Sequence, residues 1–210
     1  MQRLAMFVLS LLIPAVLHAA APADPTPSEV AQITAAAPSQ PRVKPQKPRK
    51  LLVFSISWGY VHDSIPYGKK ALEILARKTG AFEAVISDDP TLFEADNLKQ
   101  FDAIFFNNTN NEIFLPENFA QLPADQQAQA VARDQRLKAN LVEYLRSGHG
   151  LAVIHAGVAS FRQWPEFGTI IGARFTNHPW GSGSTVTLKV DEPTHPLAQA
   201  FQHTSFPIRD

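Results

Sequence analysis

The sequence predicts an α/β protein built on a three-layer, doubly wound and mostly parallel sheet. Short continuous apolar runs suit strands that are buried on both faces. These runs alternate with helix-forming segments, several of which end at a glycine. The 210-residue chain also leaves ample length, after its N-terminal region, for one hydrophobic core. We therefore expect ligands at the carboxyl ends of the strands, where such sheets have their crevice.

Residues 1–20 have the pattern of a secretory signal peptide. Arg3 is followed by the apolar run Leu4–Leu17 and then by small residues around Ala19–Ala23. The alternative, a membrane-spanning helix, is disfavoured because the run is shorter than the roughly 20 residues that a span needs. The chain has no cysteine and hence no lipobox. We expect a secreted or periplasmic protein without a stable membrane anchor after cleavage.

Residues 21–49 are rich in proline and alanine, which predicts an extended, disordered linker. Seven of the 17 prolines lie between Pro22 and Pro48. The basic residues near its end are interpreted as a solvated tether, because no aromatic residue lies among them. Residues 51–210 hold 13 Lys and Arg against 17 Asp and Glu, a mildly acidic balance that argues against nucleic acid as a partner.

The domain at 50–210 begins with the strand Lys50–Ser57, a loop, and a helix from Ile65 to Thr79. Ser64 is the predicted cap of this helix, and Gly80 is its predicted end. The later predicted elements are a strand at Phe82–Ser87, a short helix at Asp96–Gln100, a strand at Phe101–Phe106, a long helix at Ala124–Ser147, a strand at Gly150–Gly157, a short helix at Trp164–Ile171 and an edge strand at Ser184–Val190.

The order strand, helix, strand, strand, helix, strand predicts right-handed crossovers and a flavodoxin-like strand order. After a turn at Asp191–Pro196 we predict no closing helix or strand before Asp210. We therefore expect that the domain is truncated at its C-terminus.

Three histidines follow predicted elements at one edge of this sheet. His62 follows the first strand, His155 ends the fourth, and His178 lies in the loop after the short helix. With Asp63 they are the candidate catalytic residues, either as a general acid–base group or as ligands of a divalent metal such as zinc. The alternative is that each histidine is an ordinary polar residue and that the three loops never meet.

Aromatic and amide side chains in the same loops suggest a carbohydrate ligand. Trp58, Trp164 and Trp180 all lie where the strands end, and indole faces stack on the C–H faces of sugars. Together with Tyr60, Asn108 and Thr109 they are the candidate substrate-binding residues. Plain anchoring of the loops by tryptophan is the alternative.

Several activities are excluded by what the sequence lacks. Without cysteine there is no thiol nucleophile, no thiolate metal site and no glutaminase of the glutamine amidotransferase type. The glycines form neither a dinucleotide-binding nor a phosphate-binding motif, and no serine stands in a nucleophile elbow.

Several segments in order resemble the ThuA-like, trehalose-utilisation family. They are Val53–Ser55, His62–Pro66, Asn108-Thr109, Gly150–Ala156, Trp164, Gly172–Phe175, His178-Pro179 and Asp191–Pro196. The resemblance implies a class I glutamine amidotransferase-like fold without the catalytic cysteine. It also implies a role in sugar catabolism, often beside enzymes that handle oxidised (3-keto) glycosides. Members of the family continue past the position of Asp210.

Two functions remain open at this point. One is an exported enzyme that processes a sugar through its histidines, and the other is a module that binds carbohydrate or assists a partner without turnover.

Overall fold

A computed structural model describes residues 21–210 except 182, 202 and 210. The predicted signal peptide at 1–20 lies outside the described residues. The chain divides into two compact units, of which the first ends at Ala173 and the second comprises Arg174–Asp210. Across the described part of the chain, no helix is both long enough and apolar enough to cross a membrane.

The first unit contains four strands and five α-helices in its described residues. The strands are β1 (Lys50–Phe54), β2 (Glu83–Ile86), β3 (Ala103–Asn107) and β4 (Gly150–Ile154). The helices are α1 (Pro27–Ala36), α2 (Ile65–Thr79), α3 (Ala95–Leu98), α4 (Ala124–Arg146) and α5 (Pro165–Ile171). Short 3-10 helices lie at Pro90–Phe93, Phe119–Gln121 and His155–Ala159.

The four strands form one parallel sheet in the order β2-β1-β3-β4. Leu52 of β1 pairs with Val85 of β2 and with Ile104 of β3, and Phe106 of β3 pairs with Val153 of β4. The predicted α/β class and flavodoxin-like sheet are confirmed. The carboxyl ends of β1, β3 and β4 therefore lie at the same edge.

Helices cover both faces of the sheet. Leu52, Phe54 and Phe106 belong to one buried cluster with Leu137 and Leu141 of α4. Alternate side chains of a strand point to opposite faces. Asn107, the residue after Phe106, accordingly lies against α2 on the other face, where its side chain donates a 3.0 Å hydrogen bond to the carbonyl oxygen of Ile65.

The ends of α2 follow the sequence signals only in part. Pro66 lies in the first turn, and Gly80 ends the helix in the left-handed conformation with a φ of 62°. The predicted Ser64 cap is wrong: its side chain makes no capping hydrogen bond, because its backbone is already helical, with a φ of −75° and a ψ of −10°.

The expectation of an extended, disordered segment is wrong for residues 27–36, which form α1. Thr26 and Glu29 form a reciprocal capping box at its start. The Tyr67 hydroxyl of α2 donates a 2.7 Å hydrogen bond to Glu29, and Lys78 donates one of 2.6 Å to the Thr34 carbonyl at the other end. Polar contacts at both ends therefore hold α1 against α2.

The basic run before β1 is not a free tether either. Arg49 donates a 2.7 Å hydrogen bond to the Asp102 carboxylate, and the backbone N–H of Lys50 donates one of 2.9 Å. Lys47 lies 3.4 Å from the same carboxylate. These contacts attach the end of the N-terminal segment to the start of β3.

The second unit is a two-stranded antiparallel sheet of β5 (Thr185–Lys189) and β6 (Ser205–Arg209), with a 3-10 helix at Ala198–Ala200. The expectation that no strand closes the chain is wrong. Val186 pairs with Ile208, and Pro207 is tolerated because a two-stranded sheet has an open edge where no N–H is needed. The predicted edge strand thus pairs with β6 in a separate sheet.

Candidate functional site at the carboxyl edge of the sheet

The loops that follow β1, β3 and β4 are paired with one another beyond the edge of the sheet. Ser57 forms an isolated parallel bridge with Asn110, and Asn111 forms one with Ser160. The Asn111 side chain also donates a 2.6 Å hydrogen bond to the Trp58 carbonyl. The edge is therefore a fixed framework on which side chains can be positioned.

This framework brings two of the candidate histidines into contact. The imidazole centroids of His62 and His155 lie 4.5 Å apart, with an angle of 74° between the ring planes. His62 lies in the loop before α2, and His155 is the first residue after β4. The Tyr60 ring also lies 4.7 Å from the His62 ring, and this tyrosine is 65% exposed. Asp63 follows His62 on an exposed turn.

His155 is held through its Nδ1 atom. The Oδ1 atom of Asn108 lies 2.8 Å from this nitrogen. Both residues have a left-handed backbone, with a φ of 56° for Asn108 and 51° for His155. Non-glycine residues adopt this region at a cost in free energy, and such residues concentrate at functional sites.

Asn108 and Thr109, predicted to bind hydroxyl groups of a substrate, lie beneath the surface. Asn108 is 3% exposed and Thr109 is fully buried. The Thr109 hydroxyl lies 2.7 Å from that of Ser160, which joins the loop after β3 to the loop after β4. Asn108 thus supports His155 directly, while Thr109 and Ser160 hold the two loops together.

Two of the three candidate tryptophans are anchored in the first unit. Trp58 donates a 3.0 Å hydrogen bond from its indole to the Leu115 carbonyl. Trp164 packs edge-on against Phe161 at 5.3 Å and parallel to Phe167 at 6.1 Å. Each indole remains partly exposed, and the Lys138 ammonium lies 5.7 Å from the centroid of the Trp164 ring.

His178 and Trp180 belong to the second unit. The Nδ1 atom of His178 donates a 2.8 Å hydrogen bond to the Trp180 carbonyl, and the Trp180 side chain is 58% exposed. Their part in a site with His62 and His155 stays a prediction.

The metal hypothesis requires three ligands. Among the residues that the structure describes, no group of three or more His, Cys, Asp or Glu side chains is arranged to hold a metal ion. Within the first unit the arrangement supplies two imidazoles, which fall one short of the three protein ligands of a catalytic zinc site. The groups available for chemistry at this edge of the first unit are therefore the two imidazoles.

A cavity of about 540 Å³ lies beside the loop after β1. Trp58, Val61 and Asp88 line it, together with Pro22 and Asp24 from the segment before α1. Its volume falls in the range of small-molecule sites. Asp88 is fixed by Lys69, at 2.6 Å, and by the backbone N–H of Ser55, at 2.8 Å.

Asn107 and Gly68 were not identified from the sequence. Asn107 is 1% exposed, and its side-chain nitrogen donates to the Ser55 hydroxyl and to the Ile65 carbonyl. Gly68 lies within α2, directly against the Asn107 amide. Two signals were available: the run of asparagines at 107–111, and a glycine inside a predicted helix, where it weakens the helix unless packing requires it.

Comparison with known proteins decides the family. The model of the ThuA family, described as trehalose utilisation, matches residues 50–210. The chain belongs to the ThuA family. The resemblance inferred from the sequence is thereby confirmed.

A solved structure supports the fold of this ThuA-family chain. It is a protein from Bacteroides uniformis ATCC 8492 that is described as ThuA-like, with 18% sequence identity and a TM-score of 0.52. The match covers 80% of this chain and 62% of that protein, so the chain spans less than two thirds of its length. No curated protein matches the sequence.

Proposed function

We propose that this protein is an exported protein of carbohydrate catabolism that acts on a sugar or an oxidised (3-keto) glycoside through His62 and His155. Membership of the ThuA family links it to trehalose utilisation and carbohydrate metabolism. The observation that carries the catalytic part is the contact between the two imidazoles at the carboxyl edge of the sheet, with ring centroids 4.5 Å apart.

Two neighbouring imidazoles suit general acid–base chemistry, because histidine exchanges protons near neutral pH. In a 3-keto glycoside the carbon next to the carbonyl carries an acidic hydrogen. One imidazole removes this proton, and the electron pair moves into the enolate. The enolate electron pair then forms a carbon–carbon double bond to the anomeric carbon, and the glycosidic C–O bond at that carbon breaks. The other imidazole, in its protonated form, gives its proton to the departing glycosidic oxygen. Each imidazole thus ends in the state from which the other began.

The surroundings of the pair favour a sugar. Tyr60 presents a 65% exposed ring beside His62. Trp58 lines a cavity of about 540 Å³ beside the loop that carries His62, although neither histidine lines that cavity. Aromatic faces stack on the C–H faces of a pyranose, while polar groups hold its hydroxyls. In this proposal Trp164 is a further stacking surface and Asp63 orients an imidazole.

The test uses trehalose and its 3-keto derivative as probes, incubated with the purified full chain in D2O. We expect the wild-type protein to accelerate deuterium incorporation next to the carbonyl of the 3-keto derivative, or cleavage of the glycosidic bond of either probe, as followed by NMR. His155→Ala is expected to reduce this rate by about 100-fold or more, the range that general acid–base groups contribute. The matched control is His149→Ala, which removes the histidine just before the other end of β4.

Wild-type protein without activity on either probe, or His155→Ala with undiminished activity, would contradict the catalytic proposal. Thermal unfolding of both variants shows whether a loss of rate reflects a loss of folded protein.

The second candidate is a module that captures carbohydrate without turnover. It is favoured by the exposed Tyr60 ring and by the cavity, since neither requires a reaction. Calorimetric titration with trehalose distinguishes the two functions. Binding without turnover, retained in His155→Ala and weakened in Tyr60→Ala, identifies a binding module.

Export is the third part of the proposal, and it rests on the sequence of residues 1–20. Expression of the full chain in a Gram-negative host, followed by fractionation and N-terminal sequencing, tests it. We expect a periplasmic product that begins near Ala21. A product that keeps Met1 and stays in the cytoplasm would contradict it.

A further inference from the structure

We propose that Asn107 and Asn108 act as positioning residues that set the tautomer of His155, and that Gly68 makes room for them. We call Asn107, Asn108 and His155 the amide relay. The relay rests on the proposed function and deepens it, because it assigns the proton-accepting atom of that site. The tautomer is nevertheless measurable without any turnover.

The direction of every hydrogen bond in the amide relay follows from one backbone oxygen. The Ile65 carbonyl can only accept, so the Asn107 atom 3.0 Å from it must be the amide nitrogen. The Asn107 oxygen then faces the neighbouring asparagine. It accepts from the Asn108 nitrogen at 3.2 Å.

The orientation of Asn108 in turn fixes the imidazole. With its nitrogen directed at Asn107, Asn108 presents its oxygen to the Nδ1 atom of His155 at 2.8 Å. This oxygen can only accept, so Nδ1 must carry the proton. In the neutral imidazole the lone pair therefore resides on Nε2.

Burial makes this assignment robust. Asn107 is 1% exposed and Asn108 is 3% exposed. If either side-chain amide were flipped, water could therefore not replace the hydrogen-bond partner that is lost. A reversed Asn107 amide would place its oxygen against the Ile65 carbonyl. A reversed Asn108 amide would place its nitrogen against Nδ1 and its oxygen against the Asn107 oxygen. Unsatisfied buried polar groups are strongly disfavoured.

The two asparagine amides orient the imidazole of His155 without placing a charged group beside it. When Nε2 accepts a proton, the bond from Nδ1 to Asn108 becomes charge-assisted and strengthens. The arrangement thus assigns proton abstraction to Nε2 of His155 and proton donation to His62.

The amide relay requires a residue without a side chain at position 68. A Cβ atom at this position would lie 2.2 Å from the Asn107 oxygen and 2.8 Å from its Cγ atom. Both distances are far shorter than van der Waals contact, and the Asn107 amide is held by Ser55, directly after β1, and by Ile65, the first residue of α2. Any larger residue at 68 must therefore displace Asn107 and, through it, the support of His155.

The experiment measures the tautomer of His155 by long-range ¹H–¹⁵N NMR on protein labelled in its histidines, with His155→Gln used to assign the signal. In the wild-type protein at high pH we expect the Nδ1–H form. The ¹⁵N chemical shift of Nδ1 should then be that of a protonated ring nitrogen, and the shift of Nε2 that of an unprotonated one. A wild-type spectrum showing the Nε2–H form overturns the proposal by itself.

Variants test whether Asn107 and Gly68 set the tautomer of His155. Asn107→Leu and Gly68→Ala are each expected to convert His155 to a mixture of tautomers and to lower kcat on an active probe by about ten- to 100-fold, with little change in KM. Gly181→Ala is the matched control, because an added Cβ there meets no atom within 4 Å. If both variants fold and keep the pure Nδ1–H form, the relay does not set the tautomer.

The two proposals fail separately. An Nδ1–H tautomer in an inactive wild-type protein supports the relay and contradicts the catalytic function. An active protein in which His155 is the Nε2–H tautomer supports catalysis and contradicts the relay. If Asn107→Leu does not fold, the tautomer of His155 in the wild-type protein and in Gly68→Ala still tests the amide relay.

Discussion

Replacing Asp102 with asparagine should reveal how firmly the N-terminal segment is attached to the sheet. Arg49 and the backbone N–H of Lys50 both donate hydrogen bonds to the Asp102 carboxylate. These bonds lower the pKa of Asp102 from 3.8 to about 2, and the bond from Arg49 makes the larger contribution. The carboxylate is 25% exposed, so these contacts act in partly screened surroundings. The substituted side chain would keep an oxygen for the Lys50 N–H but lose the charge that attracts Arg49.

The expected loss follows from the difference between the folded and unfolded pKa. A fall from 3.8 to about 2 corresponds to roughly 2.4 kcal/mol of stability above the unfolded pKa. Solvent screening reduces this upper value, and we expect Asp102→Asn to lower the free energy of unfolding by about 1 kcal/mol at pH 7. Because the pKa is lowered by folding, the contribution is complete at a pH well above 3.8 and disappears as the pH falls towards 2.

Urea unfolding of the wild-type protein and of Asp102→Asn, at pH 7 and at about pH 3, measures this difference. The gap between the two proteins should narrow at the lower pH and also in about 1 M salt. The control is Asp96→Asn, which removes an exposed partner of Lys99 and should change little. Equal stability of wild type and Asp102→Asn at pH 7, or a gap that widens on acidification, would refute the reasoning.

Two further predictions concern contacts within the first unit. The Lys138 side chain is 14% exposed. Its ammonium lies 2.7 Å from the Asp134 carboxylate and 3.1 Å from the Glu112 carboxylate, and it neutralises both. We expect Lys138→Met to lower the free energy of unfolding by about 3 kcal/mol at pH 7. Burial raises the pKa of Asp134, so this loss should shrink on mild acidification, and a pH-independent loss in urea titrations would contradict the electrostatic origin. Tyr67→Phe removes the hydroxyl that donates to Glu29, and amide hydrogen exchange should accelerate in α1 but not in α4. Unchanged exchange in α1 would show that this bond does not hold the helix.

The elements of the first unit were predictable because their signals are local. Continuous apolar runs identified β1 to β4. The predicted starts of β1 and β4 agree with the observed ones, and the other bounds differ by one to three residues. Gly80 and Pro66 marked the ends of α2 correctly. The same local logic was available for α1, whose Thr26–Glu29 capping box was hidden by the surrounding prolines.

The sequence predicted which residue types lie at the candidate site, but not how deeply they are buried or what they contact. The asparagines and His155 were visible as polar residues after buried strands, and their common edge followed from the parallel topology. Their burial was not visible: nothing in the composition of 107–111 distinguishes Thr109, which is fully buried, from a surface threonine. Indole anchoring of Trp58 by the Leu115 carbonyl likewise depends on a loop whose path the sequence does not specify.

The sequence by itself determined the alternation of strands and helices, the family, and the residue types available for chemistry, because these depend on local pattern and identity. Tertiary structure alone decided that His62 and His155 touch, since that requires the strand order β1-β3-β4 and two left-handed backbone turns. It also decided the direction of the amide relay, because a buried amide takes its orientation from the partner it meets. Here that partner is the Ile65 carbonyl at the start of another element.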